Sequence, residues 1–173
     1  MEINERFTWA AGIIAPKPGS QLLEIGCGAG LLAGLLADRL NTGHITAIDK
    51  SQPMIKLAVQ RNRAYIMAGK ASFQAADFAQ AALPENTFDK VVAFNVNFFW
   101  KKPAKELLLI QHSMKPQGKL FVFYQTPYGI DMKLCELIKK HLQEHAFRVE
   151  DTILGRFTAS AAFCILAKPM TVS

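Results

Sequence analysis

The residues best suited to chemistry lie in one short stretch, LLEIGCGAG, at positions 22–30. An apolar run that contains Glu24 is followed by glycines at positions 26, 28 and 30. Glycine adopts positive φ and has no side chain to hold a ligand away from the backbone. A glycine turn before a helix also presents free backbone N–H groups, so it suits a ligand that lies against the backbone. The alternative is a tight turn that requires glycine for packing alone.

The spacing of the glycines argues against two phosphate-binding turns. A dinucleotide fingerprint has the pattern G-x-G-x-x-G, whereas this stretch has G-x-G-x-G and leucine at position 31. No GK[ST] sequence follows, which excludes a P-loop. A nicotinamide cofactor stays open as an alternative despite this spacing.

The elements that must position this turn alternate between short apolar runs and helical patterns. Helices are predicted over 29–40, from an N-cap at Ser51, from Pro103 to Met114, and from a cap at Asp131 to Glu144. The alternation predicts an α/β fold, a Rossmann-like doubly wound sheet of mostly parallel strands with helices on both faces. The last two strands leave no room for a helix between them, so they are expected to form an antiparallel pair at one end. The seven predicted strands are 21–25, 44–48, 71–75, 89–96, 119–125, 147–153 and 161–168.

Length and composition limit the class of protein. The chain has 173 residues, 50% of them hydrophobic, which predicts a single domain over 1–173 with an N-terminal helix or lid segment at 1–20. No apolar run approaches the ~20 residues that span a membrane, and the N-terminus does not resemble a secretory signal. Three cysteines without a CxxC pair argue against disulfides and a metal site. A cytoplasmic protein without a membrane partner is therefore expected. The net charge of +6 fits either a solvated basic surface or an anionic partner such as RNA.

Ligands of such sheets bind beyond the carboxyl ends of the strands, and the segments there carry a family resemblance. LLEIGCGAG resembles the first motif of class I S-adenosylmethionine-dependent methyltransferases. The resemblance continues in order along the chain, which makes it more specific than one glycine motif. The further matching segments are ITAIDKSQPMIKLA at 45–58, AADF at 75–78, FDKVVAFNVNFFW at 88–100 and MKPQGKLFVFY at 114–124.

The resemblance implies a role for the first motif in holding the methionine half of the cofactor. Gly26, Cys27 and Gly28 would lie against it, and Glu24 would help to hold its amino group. An ammonium group forms strong charge-assisted hydrogen bonds with a nearby carboxylate, so this role is physically reasonable. The alternative for Glu24 is a structural acid that accepts hydrogen bonds from the N–H groups of the turn.

The resemblance also implies contacts to the adenosine half. Asp49 matches the acid that accepts hydrogen bonds from both ribose hydroxyls, as two carboxylate oxygens can do; its alternative is an N-cap. Asp77 matches the acid that accepts from the adenine amine, and Phe78 supplies a backbone N–H to the ring. Met54 is expected beside adenosine or in the core, and Lys50 next to the ribose or simply exposed.

The end of the fourth strand would lie next to the transferred methyl group. Asn95-Val96-Asn97-Phe98 lacks the prolines of the N/D-P-P-Y/F motif of some family members, which argues against methylation of nucleobase or glutamine nitrogen. Asn95 is instead expected to contact the cofactor. Phe99 and Trp100, with Phe98, form either an apolar wall for the acceptor or packing for their own loop.

Two further aromatic positions are candidates for the acceptor site. Trp9, with Phe7, would form a lid or belong to an ordinary docked helix, and Tyr124 lies near the tip of the fifth strand. No residue is identified as a general base. The sequence as a whole predicts methyl transfer from S-adenosylmethionine to a small molecule, with S-adenosylhomocysteine as product. RNA as the acceptor and a non-catalytic cofactor-binding module are the alternatives, and association into a homodimer is a further expectation.

Overall fold

A computed structural model describes residues 5–170 of the chain. Residues 1–4 of the expected lid segment and residues 171–173 of the expected domain lie outside this part. It contains seven strands and six helices. The strands are β1 (Gln21–Ile25), β2 (His44–Asp49), β3 (Ala71–Ala75), β4 (Phe88–Phe94), β5 (Met114–Thr126), β6 (Phe147–Arg156) and β7 (Ala161–Pro169). The helices are α1 (Glu5–Ile14), α2 (Leu31–Ala37), α3 (Gln52–Arg61), α4 (Arg63–Met67), α5 (Ala104–Ser113) and α6 (Met132–Glu144). Strands and helices alternate except that α3 is followed by α4, β3 by β4 and β6 by β7.

The strands form one sheet in the order β3-β2-β1-β4-β5-β7-β6. β1 to β5 are mutually parallel, whereas β7 is antiparallel to both β5 and β6. The predicted Rossmann-like sheet with an antiparallel C-terminal pair is therefore confirmed. The strand order reverses between β1 and β4, and ligands of doubly wound sheets bind at such a point.

The two faces of the sheet bury different helices. Because side chains alternate along a strand, Leu23 and Ile25 of β1 pack on the face that carries α5 and α6. Leu22 packs on the opposite face with α1, α2 and part of α3. Glu24, two residues after Leu22, faces this same layer, so its carboxyl group lies among apolar side chains.

Several element boundaries differ from those predicted. α2 begins at Leu31 instead of residue 29, because Gly30 precedes it in a left-handed conformation with φ of 71°. α3 ends at Arg61, and a separate short helix, α4, was not predicted. β5 begins at Met114 rather than at residue 119, because Met114 already pairs with Phe88 before a register shift.

α1 is docked on the sheet instead of standing free. Ala10, Ala11 and Ile14 are buried, and the ammonium group of Lys90 donates to the carbonyls of Ile14 and Ala15 at the end of the helix. No helix among residues 5–170 is long and apolar enough to cross a membrane.

Candidate functional site

The glycine turn after β1 adopts a conformation that side chains disfavour. Gly26, Gly28 and Gly30 have φ of 71°, 52° and 71°. A Cβ at Gly26 would lie 2.7 Å from the Val96 side chain of the neighbouring β4 loop. The turn is fixed to β2 by a hydrogen bond of 2.8 Å from the Gly26 N–H to the Ile48 carbonyl. Glycine is therefore required here by both conformation and close approach.

Asn62 supports the turn from behind, a role that the sequence analysis missed. Its side chain is buried, and its amide donates to the carbonyls of Gly30 at 3.0 Å and Ala58 at 2.9 Å. A Cβ at Gly30 would lie 2.6 Å from the Asn62 amide nitrogen. The available signal was a polar residue at the C-cap of α3, four residues after the buried Ala58.

Asp49 ends β2 and holds two backbone N–H groups at the mouth of the turn. One carboxylate oxygen accepts from Gly28 and the other from Ser51, both at 2.8 Å. The helix cap itself is Ser51, which accepts from the N–H of Met54 at 3.4 Å. Each oxygen of a carboxylate can accept a further hydrogen bond, so Asp49 keeps acceptor capacity toward the adjoining cavity.

Glu24 is enclosed, with only 2% of its surface exposed. Burial and, secondarily, the charge of Asp49 raise its pKa from the ordinary 4.5 to about 8, while a hydrogen bond from the Ala33 backbone opposes this shift. Its Oε2 atom is buried and has no hydrogen-bond partner among the described residues. Buried polar atoms normally have partners, so this oxygen is suited to a ligand that carries a donor.

A cavity of about 870 Å³ opens at the carboxyl ends of β1, β2, β3 and β4. It brings together six of the ten predicted cofactor contacts. Glu24, Cys27, Gly28 and Met54 are not among the residues that line it. The predicted residues that do line it are Gly26, Asp49, Lys50, Asp77, Phe78 and Asn95.

The far wall of the cavity is apolar and follows β3 and β4. Asp77 caps a 3-10 turn at Phe78–Gln80 by accepting from the Ala79 N–H at 3.1 Å. The Phe78 ring stacks on Phe98 with their centroids 5.9 Å apart. Both rings line the cavity, which gives it a flat apolar surface next to an exposed carboxylate.

The loop after β4 differs in part from its predicted roles. Asn95 has a left-handed φ of 56°, and its side-chain oxygen accepts from the Gln125 N–H at 2.9 Å. Phe99 is 1% exposed and belongs to the core, so the loop-packing alternative describes it. Trp100 is half-buried against the same core, with the Lys101 ammonium 5.1 Å from its ring centroid.

Three more predicted residues lie away from the cavity surface. Tyr124 is buried, donates its hydroxyl to the Val96 carbonyl, and has a pKa that burial raises further, so it does not serve as a base. Trp9 packs edge-on against Phe123 and Phe157, as expected for a docked helix, and its role as part of a lid stays a prediction. Met54 is exposed, so the core alternative for it is wrong.

Cys27 has a buried thiol within the turn. Burial raises its pKa, and the charges of Glu24 and Asp49 raise it further. The thiolate is the reactive form of cysteine. Because the raised pKa keeps Cys27 as a thiol, this residue has a structural role in the turn and does not act as a nucleophile. Among residues 5–170 no group of three His, Cys, Asp or Glu side chains is arranged to hold a metal ion.

These features together define a class of binding site. A glycine turn, a carboxylate at the end of β2, another just after β3, and a flat apolar wall surround one cavity at the switch point of the sheet. Such a site suits a nucleoside-containing ligand, because hydroxyl and amino groups need acceptors and a base needs an apolar wall.

Comparison with known proteins identifies the family. A family model described as a methyltransferase domain matches residues 22–118, so the chain belongs to the methyltransferase domain family. The chain is 30% identical over 127 residues to the ubiquinone/menaquinone biosynthesis C-methyltransferase UbiE of Ruegeria sp., covering 72% of this chain and 50% of that protein. It is 29% identical over 146 residues to phosphoethanolamine N-methyltransferase 1 of Arabidopsis thaliana, covering 76% and 29%. The chain thus spans half or less of the length of these two relatives.

Solved structures support the fold independently. A methyltransferase from Geobacter sulfurreducens, whose structure is a complex with S-adenosyl-L-homocysteine, superposes with a TM-score of 0.72. The superposition covers 96% of this chain and 91% of that one at 14% identity. At this level of identity the likeness shows the Rossmann-like fold of the methyltransferases.

Proposed function

We propose that this protein transfers a methyl group from S-adenosylmethionine to a small-molecule acceptor and releases S-adenosylhomocysteine. The observation that carries the proposal is the cavity that joins the glycine turn to Asp49, Asp77 and the Phe78 ring. The comparisons support the family and leave the acceptor open, since the two relatives are named for methylation at carbon and at nitrogen.

The residues present fit this cofactor. Asp49 keeps acceptor capacity for the ribose hydroxyls, and Asp77 offers an exposed carboxylate to the adenine amine. Phe78 and Phe98 supply a flat apolar wall for the base. The unpartnered Oε2 of Glu24 is suited to the ammonium group at the other end. Lys50 lines the cavity beside Asp49.

The chemical demand on the protein is small. When bound, S-adenosylmethionine supplies a methyl group on a sulfonium, which is displaced as a neutral thioether. The chain holds the two reactants in line and excludes water, and orientation alone supplies up to ~7–11 kcal/mol in ideal cases. Asn95 contributes by fixing the end of β4 to that of β5 through the Gln125 N–H. None of the described residues at these strand ends is assigned as a base.

Calorimetric titration with S-adenosylmethionine, S-adenosylhomocysteine and NAD, in parallel, tests the cofactor. We expect binding of the two sulfur compounds and no response to NAD. Asp49→Ala should weaken their binding by at least ~1.5 kcal/mol, the scale of a charge-assisted hydrogen bond. Binding of NAD alone, or unchanged affinity in a folded Asp49→Ala protein, refutes the assignment. A screen for acceptors with methyl-labelled cofactor then separates an enzyme from a non-catalytic binding module.

One observation favours RNA as a second candidate acceptor. Lys101 and Lys102 line the cavity, are exposed, and form no salt bridge within residues 5–170. Basic grooves with aromatic neighbours bind single-stranded nucleic acid with a strong salt dependence. RNA retention that falls steeply with salt would support this candidate, and no retention at low salt would remove it.

A cytoplasmic location is part of the proposal. The three cysteines are free and buried, which accords with a compartment that keeps thiols reduced. A homodimer remains a prediction, which sedimentation of the purified chain would test.

A further inference from the structure

Two buried side-chain atoms lack a hydrogen-bond partner within the described part of the chain, Arg6 Nε and Glu24 Oε2. One belongs to a cationic side chain and the other to an acidic one. Unpartnered buried polar atoms are rare in folded proteins, and each calls for an explanation such as a ligand that is bound during function. The pair together therefore indicates a ligand that carries both charges.

The strand register places the two groups on the same side of the sheet. Glu24 of β1 pairs with Val92 of β4, and the guanidinium of Arg6 lies 5.7 Å from the ring centroid of Phe94. Val92 and Phe94 are two residues apart and both pack in the layer beneath α1 and α2. Arg6 also bonds Gln125 near the carboxyl end of β5, so Arg6 and Glu24 lie on one face of the sheet, with Arg6 near the carboxyl ends of β4 and β5.

One nitrogen of the Arg6 guanidinium forms a hydrogen bond within the protein, and this bond orients the side chain. Its Nη1 group donates to Gln125 Oε1, and the Gln125 amide in turn donates to Ser160 Oγ at 2.7 Å. Because a guanidinium only donates and a serine hydroxyl can donate or accept, it is the bond to Arg6 that requires the oxygen end of the Gln125 amide to face Arg6. The remaining Nε–H and Nη2 groups form the side-on fork that matches two carboxylate oxygens.

Arg6 has no acidic partner within salt-bridge distance in the range 5–170. Its guanidinium lies over two aromatic rings, 4.5 Å from the Phe7 centroid and 5.7 Å from the Phe94 centroid. Burial lowers its pKa from the ordinary value. A partly buried cation without a counter-ion is costly to desolvate, so an anionic group of a ligand would stabilise Arg6.

We propose that Arg6 binds the carboxylate at the amino-acid end of the methyl donor, while Glu24 binds the ammonium of the same end. This rests on the proposed function and adds to it a residue outside the matched family segment, which begins at residue 22. A zwitterion carries both charges on one carbon framework, so it needs one group of each sign on the same side of the site, as Arg6 and Glu24 are placed here. Gln125 is a positioning residue, because it acts through Arg6.

The test compares three ligands by calorimetry on the full chain. S-Adenosylhomocysteine carries both charges, S-adenosyl-3-thiopropylamine lacks the carboxylate, and 5′-methylthioadenosine lacks the whole amino-acid end. Arg6→Gln should weaken S-adenosylhomocysteine binding at least about tenfold, the lower scale of a charge-assisted contact. It should leave the affinities for the other two ligands within about twofold.

Arg39→Gln is the matched control, because Arg39 also donates to α1, at the Ala11 carbonyl, away from the cavity. It should leave all three affinities unchanged, whereas equal losses in both variants would attribute the effect to docking of α1 and overturn the proposal. Circular dichroism verifies that each variant is folded. A folded Arg6→Gln protein with undiminished S-adenosylhomocysteine binding also overturns it, and reassigns Arg6 to an anionic group of the acceptor.

The same titrations separate this inference from the function on which it rests. The wild-type protein could bind 5′-methylthioadenosine, and bind S-adenosylhomocysteine and S-adenosyl-3-thiopropylamine with equal affinity. That result would support the proposed cofactor and refute the role of Arg6. A wild-type protein that binds none of the three refutes the proposed function, and the inference with it.

Discussion

Replacing Glu24 by glutamine tests, in the absence of any ligand, whether burial raises the pKa of the Glu24 carboxyl group. Glutamine has the shape of the protonated side chain and carries no charge at any pH. The wild-type carboxyl group has a pKa of about 8, raised from 4.5 chiefly by burial. The folded protein therefore holds this proton more tightly than the unfolded chain does.

The sign and size of the effect follow from linkage between protonation and folding. A raised pKa in the folded state gives stability that is complete below the unfolded value of 4.5 and is lost as pH rises to about 8. At about 1.4 kcal/mol per pKa unit, the full loss is on the order of 5 kcal/mol. That is comparable with the ~5–15 kcal/mol total stability of a typical domain. Glu24→Gln should be free of this loss.

Urea unfolding of both proteins at about pH 5 and about pH 9 measures the difference. The variant should gain several kcal/mol relative to wild type between these two values, with most of the gain below about pH 8. Saturating S-adenosylhomocysteine should reduce the wild-type loss, because an ammonium group favours the ionised carboxylate. A difference in stability that is the same at both pH values would refute the assignment of a buried, strongly shifted carboxyl group.

Three further substitutions test the support of the site. Gly30→Ala places a Cβ 2.6 Å from Asn62 at a φ of 71°, and it should lower the free energy of unfolding in urea by ~2–5 kcal/mol. Gly28→Ala is the control, because its Cβ meets no atom within 4 Å, and it should lower that free energy by only ~1–2 kcal/mol. Equal losses in the two variants would contradict the packing argument. Asn62→Ala removes both buried donations and should lower the thermal midpoint by the equivalent of ~1–3 kcal/mol; an unchanged midpoint would show that Asn62 does not fix the turn. Lys90→Met removes the ammonium group that holds the end of α1. Amide hydrogen exchange in α1 should then accelerate about tenfold or more, while β1 stays protected. Unchanged exchange in α1 would show that apolar contacts alone dock this helix.

The parts of the fold that were predictable are those that local sequence determines. β1 and β3 are short runs bounded by turn residues, and their limits agree with the prediction. The cap at Asp131 is likewise local, because its carboxylate accepts from the Leu134 N–H three residues on. Periodicity failed where a single backbone conformation decides a boundary, as at Gly30, which delays the start of α2.

The parts that were not predictable depend on contacts between distant segments. Phe98 and Phe99 are identical in type and adjacent in sequence, yet Phe98 lines the cavity and Phe99 is buried in the core. Their separation follows from the 3-10 turn at Asn97–Trp100, which sends successive side chains in different directions. The carbonyl of Phe99 then accepts from His141 of α6 at 2.9 Å, a contact that no local pattern indicates.

The chemistry proposed for this chain explains why one end of the site is predictable from short sequence motifs and the other end is not. Transfer from a sulfonium requires alignment more than a catalytic side chain, so the strictest demands fall on the backbone that approaches the cofactor. Gly26, which a Cβ would force against Val96, and Asp49, which holds the Gly28 and Ser51 N–H groups, meet those demands within short segments. Arg6 and Gln125 come into contact only when folding brings α1 and β5 together. A glycine motif can therefore reveal the cofactor from sequence, whereas the opposite end of the same site becomes visible only in the folded chain.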